Sequence, residues 1–299
     1  MDNPELQLHK NIGKFKHLVK KHPCFNLDGN FKHGRLHLPV SPTCNIQCKF
    51  CRRSFNKDEN RPGVTGSIVT PEEAVKVVEK ALELCPEITV IGIAGPGDTL
   101  ASSFALDTFT LVHAKYPQLI KCLSTNGLEL NNKAEQILKA GVTTVTITVN
   151  AIDPEVQSKI CSTVVFQGQV LKGIPAAEHL VKAQLAGIRR ITGMGLVVKI
   201  NTVLVPGVNE SQVEVVARIT ADAGASLINI IPLIPQHEFA NYRAPDCDEL
   251  NRAREAAGKY LDVFRHCQHC RADACGIPGS GKDLGSELYG HSQETFSHG

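Results

Sequence analysis

The sequence predicts an α/β fold: a partial (βα)6 barrel, TIM-like but open, with extensions at both ends of the chain. Three observations predict it. Short β-branched runs alternate with amphipathic stretches between residues 35 and 265, and such alternation implies parallel strands joined by right-handed crossovers. The 299 residues suit one barrel-sized domain with appendages. Polar and glycine-rich residues follow one strand end after another, which is where parallel barrels keep their chemistry.

Strands are read at LHLPV (36–40), ITVIGIA (88–94), LIKCLS (119–124), TVTITV (144–149), VVKINTVLV (197–205) and LINIIP (227–232). The first helix follows TPEEAVKVVEKALEL, with Thr70 as N-cap, Pro71 in the first turn and Glu73 at the capping-box position. Further helical patterns fall near 104–115, 132–140, 175–187, 210–224 and 247–264. After the strands come, in turn, the cysteines, GPGD, TNG, Asn150 and Pro206–Gly207. Each could serve only its turn; their common rim favours a site.

Three regions result: an N-terminal extension (1–34), the barrel (35–265) and a tail (266–299). NIGKFKHLVKKHP (11–23) reads as a short basic helix, either a solvated face or a partner-docking arm. The tail, rich in Gly, Ser and His, reads as largely irregular, with its last ~20 residues disordered on composition.

Apolar residues make up 42% and charged residues 21%, as in a soluble protein with a core. A net charge of +2 argues against a nucleic-acid partner. The opening MDNPELQLHK has no apolar h-region, and no run approaches the ~20 residues of a membrane span. A cytoplasmic, monomeric protein is expected. Eleven cysteines in such a compartment point to metal or redox use rather than disulfides.

Cys44, Cys48 and Cys51 form C-x3-C-x2-C directly after the first strand. A structural zinc would want a fourth ligand from elsewhere. A 4Fe–4S cluster on three thiolates instead leaves one iron open to a small molecule. Cys267 and Cys270 form a late C-x2-C with His266 and His269 interleaved. Cys24, His22, His37 and Cys122 are further candidate metal ligands, although a buried Cys or a core His is common on packing grounds alone.

The C-x3-C-x2-C loop after the first strand, with aromatic Phe50 before the last Cys, resembles the radical S-adenosylmethionine (SAM) enzymes. The resemblance implies that the open iron chelates SAM and passes it one electron, giving methionine and a 5′-deoxyadenosyl radical. It also implies a SAM-contact loop at AGPGDTL (94–100). Gly95 and Gly97 would allow close approach there, and Asp98 would pair with the SAM ammonium. Further cofactor contacts are implied at Ser124, Thr125, Asn126, Asn150 and Asn201.

HPC (22–24), LHLPVSPTCNIQCKFC (36–51), ENRPGV (59–64), GPGDTL (95–100), STNG (124–127), TVTITVNAIDPE (144–155), VKINTVLVPGVN (198–209), IIPLIP (230–235) and HCQHCRADA (266–274) together resemble the NifB family of nitrogenase-cofactor maturases, in the stand-alone form lacking a second carrier domain. The resemblance implies two further 4Fe–4S substrate clusters, one at Cys24, His37 and Cys122 and the other at Cys267 and Cys270. They would fuse around a SAM-derived carbide into an eight-iron, nine-sulfur core, with sulfite as the ninth sulfur. Glu59 and Arg61, charged and on the loop after the cysteine motif, are read either as catalytic, with Glu59 relaying protons, or as a surface salt bridge. The resemblance implies tail anchoring by Arg271 and Asp273, and partners among nitrogenase assembly scaffolds or carriers and an electron donor. Cys275 stands where the family has an aliphatic residue and is either a spare thiol or an extra ligand. Cys85, Cys161 and Cys247 are read as bystanders on helices. The competing readings are a radical SAM enzyme acting on a peptide or metabolite, with one auxiliary cluster in the tail, and a non-catalytic iron–sulfur carrier.

Overall fold

The computed structural model describes residues 18–27, 32–289 and 297–298. All six predicted strands form, as β1 (Gly34–His37), β5 (Ile88–Ile93), β6 (Ile120–Thr125), β7 (Val142–Thr148), β10 (Val197–Leu204) and β11 (Leu227–Pro232). They pair in parallel in the order β1-β5-β6-β7-β10-β11. Two short strands flank them: β12 (Asp262–Val263) beside β11, and β13 (Cys275–Gly276) antiparallel on β1. The sheet has two free edges, so the barrel is open at the side.

Helices cover its outer face. Helix α1 (Pro71–Leu84) begins with the predicted capping box, Thr70 and Glu73 each accepting from the other's backbone N–H. It buries Ala74, Val77, Val78 and Ala81, one stripe at helical spacing. Helices α2 (Phe104–Lys115), α3 (Ala134–Lys139), α4 (Pro154–Ile160), α5 (Gly173–Gly193), α6 (Val213–Asp222) and α7 (Cys247–Gly258) complete the layer. The outward residues of the strands, among them Leu36, Ile91, Leu123, Val145, Ile200 and Ile228, form the main core with them.

Several elements differ from the sequence reading. The stretch 210–224 opens as a 3-10 turn (Glu210–Gln212) before α6. The helix expected to reach 264 stops at Gly258, and β12 follows. Cys161 is not helical: it opens β8 (Cys161–Phe166), which follows α4 without a breaker. Strand β8 pairs with β2 (Ile46–Cys48) and β9 (Gln169–Lys172) in a small sheet the sequence reading lacked. Two more short strands, β3 (Arg53–Phe55) and β4 (Val64–Thr65), pair in parallel, and the backbone of β14 (Ser297–His298) joins β3. The tail is not wholly irregular, since it contains β13 and α8 (Gly285–Tyr289). Most of the basic stretch 11–23 and part of the last twenty residues, 290–296 and 299, lie outside the described residues.

Both extensions help to close the barrel. Val19 and Phe25 pack among Val90, Ile120, Cys122, Val197 and Leu227, most of them at the N-terminal ends of their strands. The N-terminal segment thus closes the lower mouth, with Phe25 fully buried. The tail leaves β12 at one edge of the sheet and reaches β13 at the other. Residues 264–274, which carry Cys267 and Cys270, therefore span the open side. Phe264 N–H donates to Ile228 O, Ala272 N–H to Val64 O and His37 N–H to Ala274 O.

Candidate cluster-binding active site

Alternate strand residues point inward, and here they line a cavity of about 320 Å³. Its wall takes Arg35 and His37 from β1, Gly92 from β5, Cys122 and Ser124 from β6, Thr146 and Thr148 from β7, Lys199 and Asn201 from β10, and Asn229 from β11. The N-terminal segment adds His22 and Cys24; the cysteine loop adds Phe50 and Cys51; the tail adds Cys267, His269 and Cys270. Candidate ligands spread over nearly 250 residues of sequence thus meet at one cavity.

The three-cysteine loop is clamped on two sides. Cys48 lies opposite Cys161 in the β2–β8 pairing, and Lys49 N–H donates to Ile160 O at 2.8 Å. Phe239 N–H donates to Lys49 O, and Phe50 packs on Val203, Val205, Leu233 and Phe239. The Gln47 amide reaches the carbonyls of Cys48 and Cys51, fixing the turn between them. Burial pushes the Cys44 thiol up to about 12, Asp98 adding to the effect, and it also raises Cys51. Cys48 is raised most by its bond to the Cys161 thiol. Dry thiols of this kind ionise when a metal supplies the charge, and an all-sulfur donor set suits iron–sulfur chemistry. The residues present therefore fit a 4Fe–4S cluster. Among the described residues no three His, Cys, Asp or Glu side chains converge on a single ion.

His37 is arranged as a ligand. Its Nδ1 lies 3.0 Å from Arg271 O. A carbonyl only accepts, so Nδ1 carries the proton and Nε2 keeps its lone pair, the tautomer metal-bound histidines adopt. Burial, then Arg35, lowers its pKa to about 4, so the ring is neutral near pH 7. His22 is the opposite case. Its Nδ1 accepts from Cys24 N–H at 3.1 Å, so Nε2 carries the hydrogen, buried and without a partner among the described residues. Burial holds its pKa well below the ordinary value. In this arrangement His22 turns an N–H, rather than a lone pair, outward from the Cys24 turn.

The SAM-loop candidates divide. Gly97 is required by packing: a Cβ there would lie 2.0 Å from Thr43 O. Its N–H donates to Ser41 O and that of Asp98 to Thr43 O, strapping the loop to the segment that leads to Cys44. Gly95, at φ 133°, has a conformation side chains disfavour. The buried Asp98 carboxylate accepts from Leu100 N–H, Thr125 Oγ1 and Asn126 N–H, so it joins the ends of β5 and β6. Burial nevertheless raises its pKa. Asn126 Nδ2 donates to Asn45 Oδ1 at 2.7 Å beside Cys44. Asn150 is a strut, accepting from Val203 N–H, while Asn209 binds its carbonyl. Ser124 and Asn201 line the cavity.

Glu59 and Arg61 are not brought to the cavity. They form an ion pair with Glu59 exposed, and Arg61 also donates to Arg52 O and Ser54 Oγ, bracing the strand after Cys51. Arg271 donates to Glu59 O, Asn56 O and Asp273, and Asp273 accepts from Gly66 N–H. This pair holds the tail to the 56–66 loop. Cys275 is buried on β13, its thiol pushed up to about 12 by burial, with Cys85 second. Cys85 caps α1 and Cys247 opens α7.

Sequence reasoning missed Arg35 and Lys199, both buried in the cavity wall. The signal was present: Arg35 and His37 in GRLH, and Lys199 and Asn201 in VVKINTVL, are polar residues two positions apart on one face of the strand.

A model of the radical SAM superfamily matches residues 38–219, which contain four of the six central strands, β5, β6, β7 and β10. Fold and cysteine loop thus define a radical SAM enzyme. Two relatives described as FeMo cofactor biosynthesis protein NifB cover the chain almost entirely. That of Methanocaldococcus infernus is 43% identical over 270 residues, 90% of this chain and 89% of its own. That of Methanocaldococcus jannaschii is 46% identical, covering 89% of each. A third, from Chlorobaculum tepidum, is 42% identical over 87% of this chain, which spans 62% of that longer protein. The chain belongs to the NifB family. Among solved structures, methylornithine synthase (PylB) aligns at TM-score 0.48 and 14% identity, covering 95% of this chain and 84% of that one. Among the described residues no helix is long and apolar enough to cross a membrane.

Proposed function

We propose that the chain acts in nitrogenase FeMo-cofactor biosynthesis by fusing two 4Fe–4S substrate clusters, with a SAM-derived carbon at the centre of the product. The observation that carries this reading is the single cavity on which Cys24, His37, Cys122, Cys267 and Cys270 meet the Cys51 loop. A protein that only cleaves SAM has no need of a second and third ligand group around the same space. Two 4Fe–4S clusters contribute eight irons and eight sulfides; one carbon from a SAM methyl and one further sulfur, from a donor such as sulfite, complete the product.

Cys44, Cys48 and Cys51 would hold the resident cluster. With SAM bound, that cluster supplies the one-electron cleavage that generates the hydrogen-abstracting radical. Cys24, His37 and Cys122 would hold one substrate cluster, and Cys267 and Cys270 the other. Few protein ligands per cluster suit a substrate that must leave, and a neutral imidazole releases iron more readily than a thiolate. Ser124 and Asn201 offer polar contacts to SAM from the wall. Phe50 packs the side of the cysteine loop and keeps water from it. An electron donor and a scaffold or carrier of nitrogenase assembly are the partners this reading requires.

Iron counting after anaerobic reconstitution tests it. The wild-type chain should take about twelve irons, and the Cys267→Ala/Cys270→Ala pair about eight. SAM cleavage should persist in the pair while product formation stops, whereas Cys44→Ala should abolish 5′-deoxyadenosine. A wild-type chain that holds about eight irons and modifies a peptide or metabolite contradicts the reading.

A further inference from the structure

Two basic side chains, Arg35 and Lys199, are buried in the cavity wall, and no described lining residue is a carboxylate. Arg35 is 6% exposed and Lys199 is 5% exposed. Arg35 Nη1 donates to Gly276 O at 2.9 Å and Nη2 to Cys270 Sγ at 2.8 Å, while its buried Nε has no partner among the described residues. Lys199 Nζ donates to Cys24 O at 2.9 Å and lies over the rings of Phe25, at 4.7 Å, and Phe264, at 5.1 Å. Asp283 acts on Arg35 from outside the lining, but its Oδ1 accepts from Cys275 and Gly285 N–H. Buried charge of one sign calls for an occupant of the other.

Cys24 feels both cations, and Arg35 feels both Cys24 and Cys270. Arg35 thus bonds Cys270 of one proposed ligand group and shares the cavity wall with Cys24 of the other. Under the reducing conditions of the reaction, the charge of two thiolates exceeds that of a reduced 4Fe–4S core, so each substrate cluster is anionic, and bringing the two together in a low-dielectric space is opposed by their repulsion. A guanidinium stays charged at any working pH and presents several donors in one plane, so it can serve two acceptors at once.

We propose that Arg35 is a charge bridge that binds the two anionic substrate clusters side by side, with Lys199 as its counterpart near Cys24. This rests on the reading of two substrate clusters above. Arg35 is here a binding and positioning residue and does not itself transfer protons or electrons.

The test compares Arg35→Met and Arg35→Lys with wild type in the full chain, reconstituted anaerobically. The readouts are iron per chain and the reduction potentials of the auxiliary clusters, followed by EPR-monitored titration. The cluster at Cys44, Cys48 and Cys51 serves as internal reference in each sample. Arg35→Met should fall from about twelve irons towards about eight, and the auxiliary cluster that remains should shift to lower potential. Arg35→Lys, which keeps the charge, should restore most of both. An Arg35→Met protein with full iron and unshifted potentials overturns the bridge, as does an Arg35→Lys protein as deficient as Arg35→Met. Should Arg35→Met not fold, Lys199→Met reads the same charge: a lower auxiliary potential supports the inference and an unchanged one overturns it. A wild-type chain that takes only about eight irons or fewer overturns the underlying reading as well, which separates the two failures.

Discussion

His37 and Cys122 lie at the same level of the barrel, two strands apart, with Gly92 between them. The pairing runs His37↔Gly92 on β1–β5 and Gly92↔Cys122 on β5–β6. Gly92 leaves the space into which the imidazole lies, since a Cβ there would come 2.9 Å from His37 Cδ2.

Gly92→Ala should therefore displace the His37 ring while leaving the fold intact, because the imidazole can rotate. Iron content should fall by part of one cluster. The nitrogen hyperfine coupling of the reduced auxiliary cluster, read by pulsed EPR, should weaken or vanish. An undiminished coupling would remove His37 from the ligand set.

Asp98→Ala leaves Leu100 N–H, Asn126 N–H and Thr125 Oγ1 without their acceptor in a buried site. Leaving a buried donor unpaired costs about 1–3 kcal/mol each. Urea unfolding should show a loss of at least that size. Thr125→Val, which removes one donor of the same network, should lose less.

Cys161 touches Cys48 yet belongs to β8, the central strand of the small sheet, rather than to the three-cysteine loop. Cys161→Ala should load the same iron and cleave SAM at a rate close to wild type. Loss of the resident cluster in this variant would make Cys161 a ligand.

The cluster-free chain should lose stability in acid. Burial lowers the pKa of His37 from 6.5 to about 4, so between those values the unfolded chain binds a proton that the folded chain does not. Stability present above pH 6.5 is lost as pH falls towards 4, by on the order of 3 kcal/mol at most. His22 acts in the same direction. In chemical denaturation, His37→Gln should show a flatter pH dependence than wild type over this window.

The barrel was legible because its signals are local. The capping box at Thr70 and Glu73 and the β-branched runs need no distant partner to be read. Strand β8 was hidden because α4 runs into it without a glycine or proline, and so Cys161 looked helical. The cysteine motifs were legible by spacing. The hydrogen bonds that Asp98, Asn150, Glu59 and Arg61 make were not, since each depends on which groups the fold brings near. His22 shows the limit: one hydrogen bond from Cys24 N–H decides whether its outer nitrogen offers a lone pair or a proton, and no sequence pattern encodes that.

The most direct test of the central claim follows the carbon. The reconstituted chain is supplied with methyl-¹³C SAM, reductant and a sulfur donor, and the products are separated anaerobically. The account predicts that the label stays with an iron–sulfur product of about eight irons, formed by wild type and not by the Cys267→Ala/Cys270→Ala pair. Label recovered only in a methylated peptide or metabolite, or an iron–sulfur product without label, would contradict it.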